Sequence, residues 1–476
     1  MKNDRRRILL VLIGLITLSL SLIVYLTLFV VFKADDIKYH SANRRSGIKE
    51  SQILRGTIYD RNGEILAYSD GEPGNFRRHY NYPRIYSHII GYSNPSLGKA
   101  GLESSYNSYL LSQDGNKTWK SLKELMNEDN KVGNNIVLTL DTTLQNRTRE
   151  LLEETELKGA AVVLNPKTGE IYSMVSLPDY DSSTITEDWS DISASKDGIL
   201  VNRAISGLYP PGSTFKTVTS VAILEDKNLD LSYVDEGTQK IGARVFKNAN
   251  PDEINGKIGI REAFAESLNT YFVSKGVEVG QEKLGNVADR FMFNKKVSFD
   301  LPLKTSKFDH SKKLDNIQIA ASSIGQGQVL ATPLEMAMVA GAIANEGQMM
   351  APYIVREVET NNGVTVKEHK PEVLSEVTNQ EVAAEVKELM KRVITHGIGS
   401  NAYISGMKVA GKTGSAENAS GKNHAWFIGF APADDPKFAV AVVLEEADQP
   451  GGKIAAPIAR DLIISANKHI NIPSTN

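Results

Sequence analysis

The feature that most constrains this chain is an uncharged apolar stretch near the N-terminus, Ile8 to Phe32. As a helix, these 25 residues would be about 37 Å long, which exceeds the roughly 30 Å hydrocarbon core of a bilayer. A cleaved signal peptide is the alternative, but its apolar segment usually has about 7–15 residues and ends at a small-residue cleavage site. We therefore predict one transmembrane helix, an uncleaved signal anchor, over residues 8–32.

The charges on either side of this stretch predict its orientation. Four basic residues and one acid precede it, and two acids follow it: Lys2, Arg5, Arg6, Arg7 and Asp4, then Asp35 and Asp36. The positive-inside rule places residues 1–7 in the cytoplasm as a short tail and the rest of the chain on the far side. We expect a single-pass protein of the cytoplasmic membrane whose bulk is extracytoplasmic.

Composition excludes several kinds of site. The 476 residues include no cysteine, so disulfides and thiolate zinc sites are impossible. The eight histidines are scattered, with no pair at the i, i+4 spacing that would favour a metal site on a helix. A net charge of −3 gives no indication of a nucleic-acid partner, which usually requires a basic domain. We predict no metal and no cofactor, and the length predicts two or three domains.

The pattern of the chain changes near residue 135. Residues 33–134 are rich in Arg, Tyr, Asn, Ser and Gly, and we predict an extended pedestal there, with a hairpin turn at Asp60–Gly63. Residues 135–476 carry a strand–turn–strand pattern near each end and mainly helical segments between them. This order predicts an α+β domain whose sheet unites distant parts of the chain.

Ser213 and Lys216 form the motif with the strongest chemical context. Pro210, Pro211 and Gly212 precede Ser213, and an apolar helical segment follows Lys216, so Ser213 is expected at a helix N-terminus. Lys216 would lie one turn on, within reach of the hydroxyl. For Lys216 to accept that proton, its pKa must fall from about 10.4 towards about 7, which requires about 4–5 kcal/mol from burial and a nearby cation.

Two further motifs supply polar groups of the same kind. Ser267-Leu-Asn269 lies among apolar positions with helical spacing, and Lys412-Thr413-Gly414-Ser415 is predicted to lie on a strand before the last hairpin. Lys412 is a candidate for the second cation beside Lys216. Each motif is weak alone because all three recur elsewhere; the other Lys-Thr-Gly, at Lys167, is interpreted as a structural hairpin turn. The alternative to a catalytic role is a structural one for each motif. Ser213 would then cap a helix, Lys216 would lie at the surface, and the polar groups of Ser267 and Asn269 would bond to the local backbone.

In this order the three motifs resemble those of penicillin-binding proteins and serine β-lactamases. More specifically, the chain resembles the short class B penicillin-binding proteins over nearly everything that follows the apolar stretch. The resemblance implies an antiparallel sheet flanked by helices in residues 135–476 and a dimerisation-like pedestal in residues 33–134. The matching stretches are Arg55–Glu64, His88–Tyr92, Gly101–Glu103, Asn202–Ala204, Tyr209–Lys216, Ser323–Gly327 and Lys412–Glu417.

The resemblance implies a peptidoglycan D,D-transpeptidase of cell-wall synthesis that β-lactams inhibit. Its catalytic residues would be Ser213 as the nucleophile, Lys216 as the base and Ser267 as the proton relay to the leaving amine. Asn269 would orient Lys216 and the substrate amide. The Lys412–Ser415 segment, including Thr413 and Gly414, would bind the terminal carboxylate, with the N–H groups of Ser213 and Ser415 as the oxyanion hole.

The resemblance also implies partners: stem peptides ending in D-Ala-D-Ala, the membrane, and a membrane-embedded glycan polymerase. A β-lactamase is the nearest alternative, but Glu282 and Asn286 follow Ser267 too closely for the deacylating motif of class A enzymes, and we interpret them as helix surface. An alternative that is not an enzyme is an inactive scaffold that binds and regulates the membrane-embedded glycan polymerase. Elongation, division and sporulation all remain open as roles, as do the oligomeric state and the acceptor amine.

Overall fold

An antiparallel sheet joins the two ends of the predicted catalytic domain. A computed structural model describes residues 2–32, 50–113, 132–418 and 421–470. Within these residues the sheet has five strands in the order β19 (Ala410–Glu417), β20 (Asn423–Ala431), β21 (Phe438–Ala447), β7 (Gly159–Leu164) and β8 (Ile171–Leu177). β7 and β8 form one predicted hairpin, β20 and β21 form the other, and β21 pairs with β7 through Val440 and Val163. The predicted α+β fold with a sheet that unites distant segments is therefore confirmed.

The strands and helices have the following bounds. The strands are β1 (Ile58–Tyr59), β2 (Ile65–Asp70), β3 (Arg77–Tyr80), β4 (Ser93–Asn94), β5 (Gly98–Lys99), β6 (Asn135–Leu138), β7 (Gly159–Leu164), β8 (Ile171–Leu177), β9 (Tyr233–Asp235), β10 (Thr238–Ile241), β11 (Arg244–Lys247), β12 (Gly256–Ile258), β13 (Lys307–Phe308), β14 (Val329–Leu330), β15 (Gln348–Met350), β16 (Val355–Glu359), β17 (Thr365–Glu368), β18 (Val373–Glu376), β19 (Ala410–Glu417), β20 (Asn423–Ala431) and β21 (Phe438–Ala447). The α-helices are α1 (Lys2–Phe32), α2 (Gly101–Ser105), α3 (Asn107–Leu110), α4 (Thr142–Glu153), α5 (Trp189–Ala194), α6 (Arg203–Ser206), α7 (Lys216–Glu225), α8 (Ile260–Ala265), α9 (Asn269–Arg290), α10 (Asn316–Ser323), α11 (Pro333–Ala344), α12 (Gln380–His396) and α13 (Gly451–His469).

The central sheet is covered by helices, which explains its apolar strands. Helices α11 and α13 pack against β20 and β21, and every residue of β7 and β8 is buried. Strands buried on both faces have continuous apolar runs rather than alternation, as in Gly159–Leu164. Helix α12 packs against β19, the edge strand of this sheet, and against α8. The edge strand therefore faces a helical lobe, and the cleft between them contains the predicted motifs.

A second sheet takes strands from both sides of the predicted boundary at residue 135. In the described part of the chain it has six strands in the order β17-β16-β6-β1-β2-β3. The turn predicted at Asp60–Gly63 connects β1 to β2, and the Asp60 carboxylate accepts from the backbone N–H groups of Asn62 and Glu64. The bounds 33–134 and 135–476 stay predictions, and residues 33–49, 114–131 and 471–476 lie outside the described residues.

Helix α1 coincides with the apolar stretch near the N-terminus. Among the residues that the structure describes, no helix is both long enough and apolar enough to cross a membrane. The transmembrane anchor and the cytoplasmic tail stay predictions from the sequence.

A buried ion triad fixes helix α2 against β3 and the segment before β1. Glu103 is fully buried and accepts from Arg55, and Arg78 Nε donates to its other oxygen at 2.6 Å. Arg55 and Arg78 are themselves only 8% and 7% exposed. Burial alone would raise the pKa of Glu103, but the two guanidinium groups outweigh it and hold that pKa below its usual range.

We predict that Glu103→Ala strongly destabilises this part of the protein, because it leaves two buried cations without their shared partner. Removing one member of a buried ion pair typically costs about 3–5 kcal/mol. Urea unfolding of the variant and the wild type would measure the loss. Asp434→Asn is the control, since its pair with Lys408 is exposed and should hardly affect the midpoint. Equal midpoints for all three proteins would contradict the assignment.

Candidate active site

Ser213 lies in a tight turn that is pressed against the edge strand β19. A 3₁₀ turn spans Gly212–Phe215 and leads directly into α7 at Lys216. Ser213 therefore lies in the turn that precedes the α-helix, and not at the helix N-terminus that the sequence predicted. Gly212 has a φ of +54°, and a Cβ atom there would lie 2.7 Å from the Ser415 carbonyl oxygen. Only glycine permits this approach. The Ser213 side chain remains partly exposed while Thr214 and Phe215 are buried.

Lys216, the first residue of α7, is fully buried. Its Nζ donates to the Ser267 carbonyl oxygen at 2.7 Å and to Asn269 Oδ1 at 2.8 Å, and Ser267 Oγ lies at 3.3 Å. The ring centroid of Phe272 lies 5.3 Å away. Within the described residues the Ser213 hydroxyl makes no hydrogen bond, so the predicted contact with Lys216 is not formed in this structure. Lys216 instead connects Ser267 with Asn269.

Ser267 lies between two helices rather than inside one, which corrects the helical environment expected from its apolar neighbours. Helix α8 ends at Ala265 and α9 begins at Asn269. Ser267 itself has a φ of +57°, in the left-handed region that costs a non-glycine residue of order 1–3 kcal/mol. This conformation lets both the carbonyl oxygen and the hydroxyl of Ser267 face Lys216. Backbone strain therefore accompanies the polar contacts.

Lys412 reaches the same hydroxyl from the opposite side. It lies on β19, as predicted, and is fully buried. Its Nζ donates to Ser267 Oγ at 2.8 Å and to the Thr413 carbonyl oxygen at 3.2 Å. The ring of Phe264 lies 5.5 Å from the ammonium. The Ser267 hydroxyl is thus held between two buried lysines.

The rest of the Lys412–Ser415 segment forms the wall of the cleft next to the Ser213 turn. Thr413 is 2% exposed, and its Oγ1 has no hydrogen-bond partner in the described residues. A Cβ at Gly414 would lie 3.0 Å from the Pro211 carbonyl oxygen, so strand and turn are in close contact. Ser415 is exposed. An unpartnered buried hydroxyl beside a buried lysine is suited to an anionic ligand group.

Comparison with known proteins agrees with this geometry. The family model of the penicillin binding protein transpeptidase domain matches residues 159–464. The chain belongs to the penicillin-binding protein transpeptidases. A second model, the penicillin binding protein A dimerisation domain, matches residues 55–136.

Relatives and solved structures extend the likeness to nearly the whole chain. Peptidoglycan D,D-transpeptidase PbpA of Mycolicibacterium smegmatis is 32% identical over 494 residues, which cover 98% of this chain and 99% of the relative. The D,D-transpeptidase domain of a peptidoglycan glycosyltransferase from Eggerthella lenta has a TM-score of 0.78 at 34% identity, covering 88% and 99%. The ceftriaxone acyl-enzyme complex of penicillin-binding protein A from M. tuberculosis has a TM-score of 0.82 at 30% identity, covering 88% and 99%.

Burial lowers the pKa values of both lysines in this penicillin-binding protein. Burial, and secondly the neighbouring Lys412, lower the pKa of Lys216 well below its usual value. Burial lowers the pKa of Lys412 to about 7, against an opposing attraction from Glu266. The lowered pKa favours the neutral amine that could accept a proton. The direction agrees with the requirement set out from the sequence, and Lys412 is the nearby cation.

Two groups of residues at the site were missed by sequence reasoning. The ring of Phe272 faces the amino group of Lys216, and the ring of Phe264 faces that of Lys412. In the sequence, only their spacing could have indicated this, since Phe264 lies three residues before Ser267 and Phe272 lies three residues after Asn269. A buried polar network behind Asn269 contains Asp235 and Asn248. These residues lie in a polar, turn-rich segment that had no motif to distinguish it. Only the folded chain brings them together.

We predict that Lys412→Ala shifts the pH dependence of acylation by a fluorescent penicillin. The rate should rise with pH as Lys216 loses its proton. Removing the Lys412 charge raises the pKa of Lys216, so the acidic limb of the profile should move to higher pH and the rate at neutral pH should fall. Second-order acylation rates measured across pH would test this.

Lys167→Ala provides a matched control from the other Lys-Thr-Gly sequence. Lys167 lies in the turn between β7 and β8 and pairs with Asp435 at the surface, as the structural interpretation required. Its profile should coincide with that of the wild type. An unshifted acidic limb in Lys412→Ala would show that Lys412 does not influence Lys216.

Proposed function

We propose that this chain is a peptidoglycan D,D-transpeptidase of cell-wall synthesis that forms an acyl-enzyme on Ser213 and is inhibited by β-lactams. The observation that carries the proposal is the Ser267 hydroxyl between two buried lysines, next to the Ser213 turn. The relatives support it, since several are described as peptidoglycan D,D-transpeptidases, and penicillin-binding protein A is described as an acyl-enzyme with imipenem and with penicillin G.

In the first half of the reaction, Ser213 Oγ attacks the carbonyl carbon of the penultimate D-Ala. Its proton moves to the neutral amine of Lys216, and the N–H groups of Ser213 and Ser415 stabilise the oxyanion. Losing one such donor typically costs about 2.7–4 kcal/mol in the transition state. The C–N bond to the terminal D-Ala then breaks, and the leaving amine takes a proton through Ser267. Lys412 and Thr413 hold the terminal carboxylate during both steps.

In the second half, an acceptor amine of a neighbouring stem peptide attacks the ester carbonyl. A new peptide bond forms, the Ser213–acyl bond breaks, and the proton released by the amine returns to Ser213 through Lys216. Asn269 keeps Lys216 in place throughout by accepting from its Nζ at 2.8 Å. A β-lactam enters by the same first step but stays attached because its leaving group remains tethered.

The fate of the adduct distinguishes this function from a β-lactamase. Glu282 lies exposed on α9, as predicted for a helix-surface residue. The acyl group on Ser213 should therefore persist for many minutes.

Labelling with a fluorescent penicillin tests the nucleophile. Ser213→Ala should abolish covalent labelling, and Lys216→Ala should reduce it nearly as far because the two residues act as one unit. The Ser213 side chain makes no capping hydrogen bond, so stability should change by no more than about 0.5 kcal/mol. Ser193→Ala, in another Ser-x-x-Lys sequence on the exposed helix α5, is the control and should label normally. Labelling that survived Ser213→Ala would refute the nucleophile, and an adduct lost within seconds would indicate a β-lactamase.

We also propose that residues 8–32 anchor the protein in the cytoplasmic membrane, with the catalytic domain outside. The sequence charges support this, and so do the exposed apolar side chains of α1, for example Leu10 at 63% and Leu18 at 67%. We extend the proposal to a membrane-embedded glycan polymerase as partner, since newly made glycan strands are the substrate for cross-linking. The anchor and the predicted pedestal would supply the contacts.

Protease treatment of spheroplasts tests this topology. Protease added from outside should digest the chain beyond residue 33 and leave only the N-terminal segment protected, because everything after the anchor is expected to be accessible. Immunoblots with antibodies against the C-terminal domain would follow the loss. A cytoplasmic protein should remain intact in the same sample. Full protection of the C-terminal domain would overturn the orientation.

A further inference from the structure

Asn269 is held in place on the side facing away from Lys216. Its Oδ1 accepts from Lys216, and its Nδ2 donates to the Lys247 carbonyl oxygen at 2.9 Å. The second contact selects the amide orientation in which the oxygen faces the lysine. Lys247 is the last residue of β11, so the position of this strand end determines whether Asn269 can serve Lys216.

The next residue, Asn248, fixes that strand end to the start of α9. It is 6% exposed, and its Oδ1 accepts from the Thr270 backbone N–H at 3.1 Å. The Thr270 hydroxyl lies 3.1 Å from the same oxygen. The Asn248 backbone N–H donates to the Gly237 carbonyl oxygen at 3.1 Å. Asn248 therefore connects the end of β11, which carries Lys247, to Thr270 at the start of α9.

Asp235 is the centre of this network and is fully buried at the end of β9. Its Oδ1 accepts from Asn248 Nδ2 at 2.9 Å and lies 2.7 Å from the Thr270 hydroxyl. Its Oδ2 accepts from Asn255 Nδ2 at 2.6 Å. The backbone N–H of Gly237 donates to Oδ1 at 3.3 Å. Within the described residues no lysine or arginine forms an ion pair with Asp235.

Burying a carboxylate without a cationic partner costs free energy, and neutral donors offset that cost only while each of them keeps its hydrogen bond. Burial would raise the pKa of Asp235, but the hydrogen bonds from Asn255, Thr270 and Asn248 outweigh it and lower that pKa. The carboxylate thus stays ionised, and its two oxygens hold three separate segments together. These are the end of β11, the start of α9 and the segment before β12.

We propose that Asp235 is a positioning residue for acylation: it holds Asn248 and Thr270 so that Asn269 keeps Lys216 in its working position. Asp235 does not contact the reacting atoms. At metal sites, residues that orient a ligand from behind typically change activity by about 10–100-fold, and we expect an effect of the same order here. The inference rests on the acyl-enzyme function proposed above.

The test compares second-order acylation rates with a fluorescent penicillin for Asp235→Asn, Asn269→Ala and the double variant, all in the full-length protein. Asp235→Asn should slow acylation by about 10–100-fold. Because Asp235 acts through Asn269, the double variant should be no more than about threefold slower than Asn269→Ala alone. A purely structural role would give losses that multiply. Multiplied losses, or Asp235→Asn at the wild-type rate, would overturn the proposal.

A second variant and a matched control keep the test decisive. Thr270→Val removes one hydroxyl, and with it the contacts to Asp235 and Asn248, without changing side-chain shape. It should slow acylation in the same direction even if Asp235→Asn folds poorly. Asp60→Asn is the control, because Asp60 is 1% exposed and accepts from several donors far from Asn269 in sequence. It should lower the melting temperature comparably but acylate within about threefold of wild type. A Thr270→Val rate equal to that of wild type would refute the proposal. Wild type that is not labelled at all would refute the proposed function instead.

Discussion

Two buried lysine amino groups meet at one hydroxyl, and the packing around the cleft has to accommodate them. Lys216 and Lys412 both approach Ser267 Oγ, at 3.3 and 2.8 Å, and neither forms an ion pair within the described residues. Burying an unpaired charge is costly, so the protein must hold these groups by packing and by neutral acceptors. The aromatic rings of Phe264 and Phe272 and the carbonyl oxygens of Ser267 and Thr413 serve that purpose.

This arrangement requires segments that are distant in the chain. Lys412 is carried by an edge strand, and that strand has its place only because β20 and β21 connect it to β7. Lys216 is carried by a helix that follows the Ser213 turn, and the close approach of Gly212 to Ser415 joins helix to strand. The catalytic cleft is therefore a consequence of long-range strand pairing. Damage to the sheet would separate the lysines even if each motif stayed intact.

The sequence predicted those parts of the site that have local signals. The Ser213 turn follows from Pro211 and Gly212, and the two hairpins follow from alternating apolar and turn residues. The left-handed conformation of Ser267 has no such signal, because it comes from the need to join two helices while facing Lys216. The second sheet was also missed, since the pairing of β6 with β1 and β16 depends on contacts that no local pattern encodes. Asp235 was missed for the same reason.

The chain buries basic side chains in two physically different ways: the arginines around Glu103 are paired with an acid, and the lysines of the cleft are not. Around Glu103, the buried cations are arginines, which cannot lose their proton in a protein and so must be paired with an acid. In the cleft, the cations are lysines, which can respond to burial by releasing a proton. Burial lowers the pKa values of both Lys216 and Lys412, the neighbouring Lys412 lowers that of Lys216 further, and within the described residues neither lysine forms an ion pair with a carboxylate. A lysine stabilised by an acid would stay protonated and could not accept a proton from Ser213. Without an ion pair among the described residues, Lys216 can lose its proton, whereas the ion triad keeps the charges of Arg55 and Arg78 paired with Glu103.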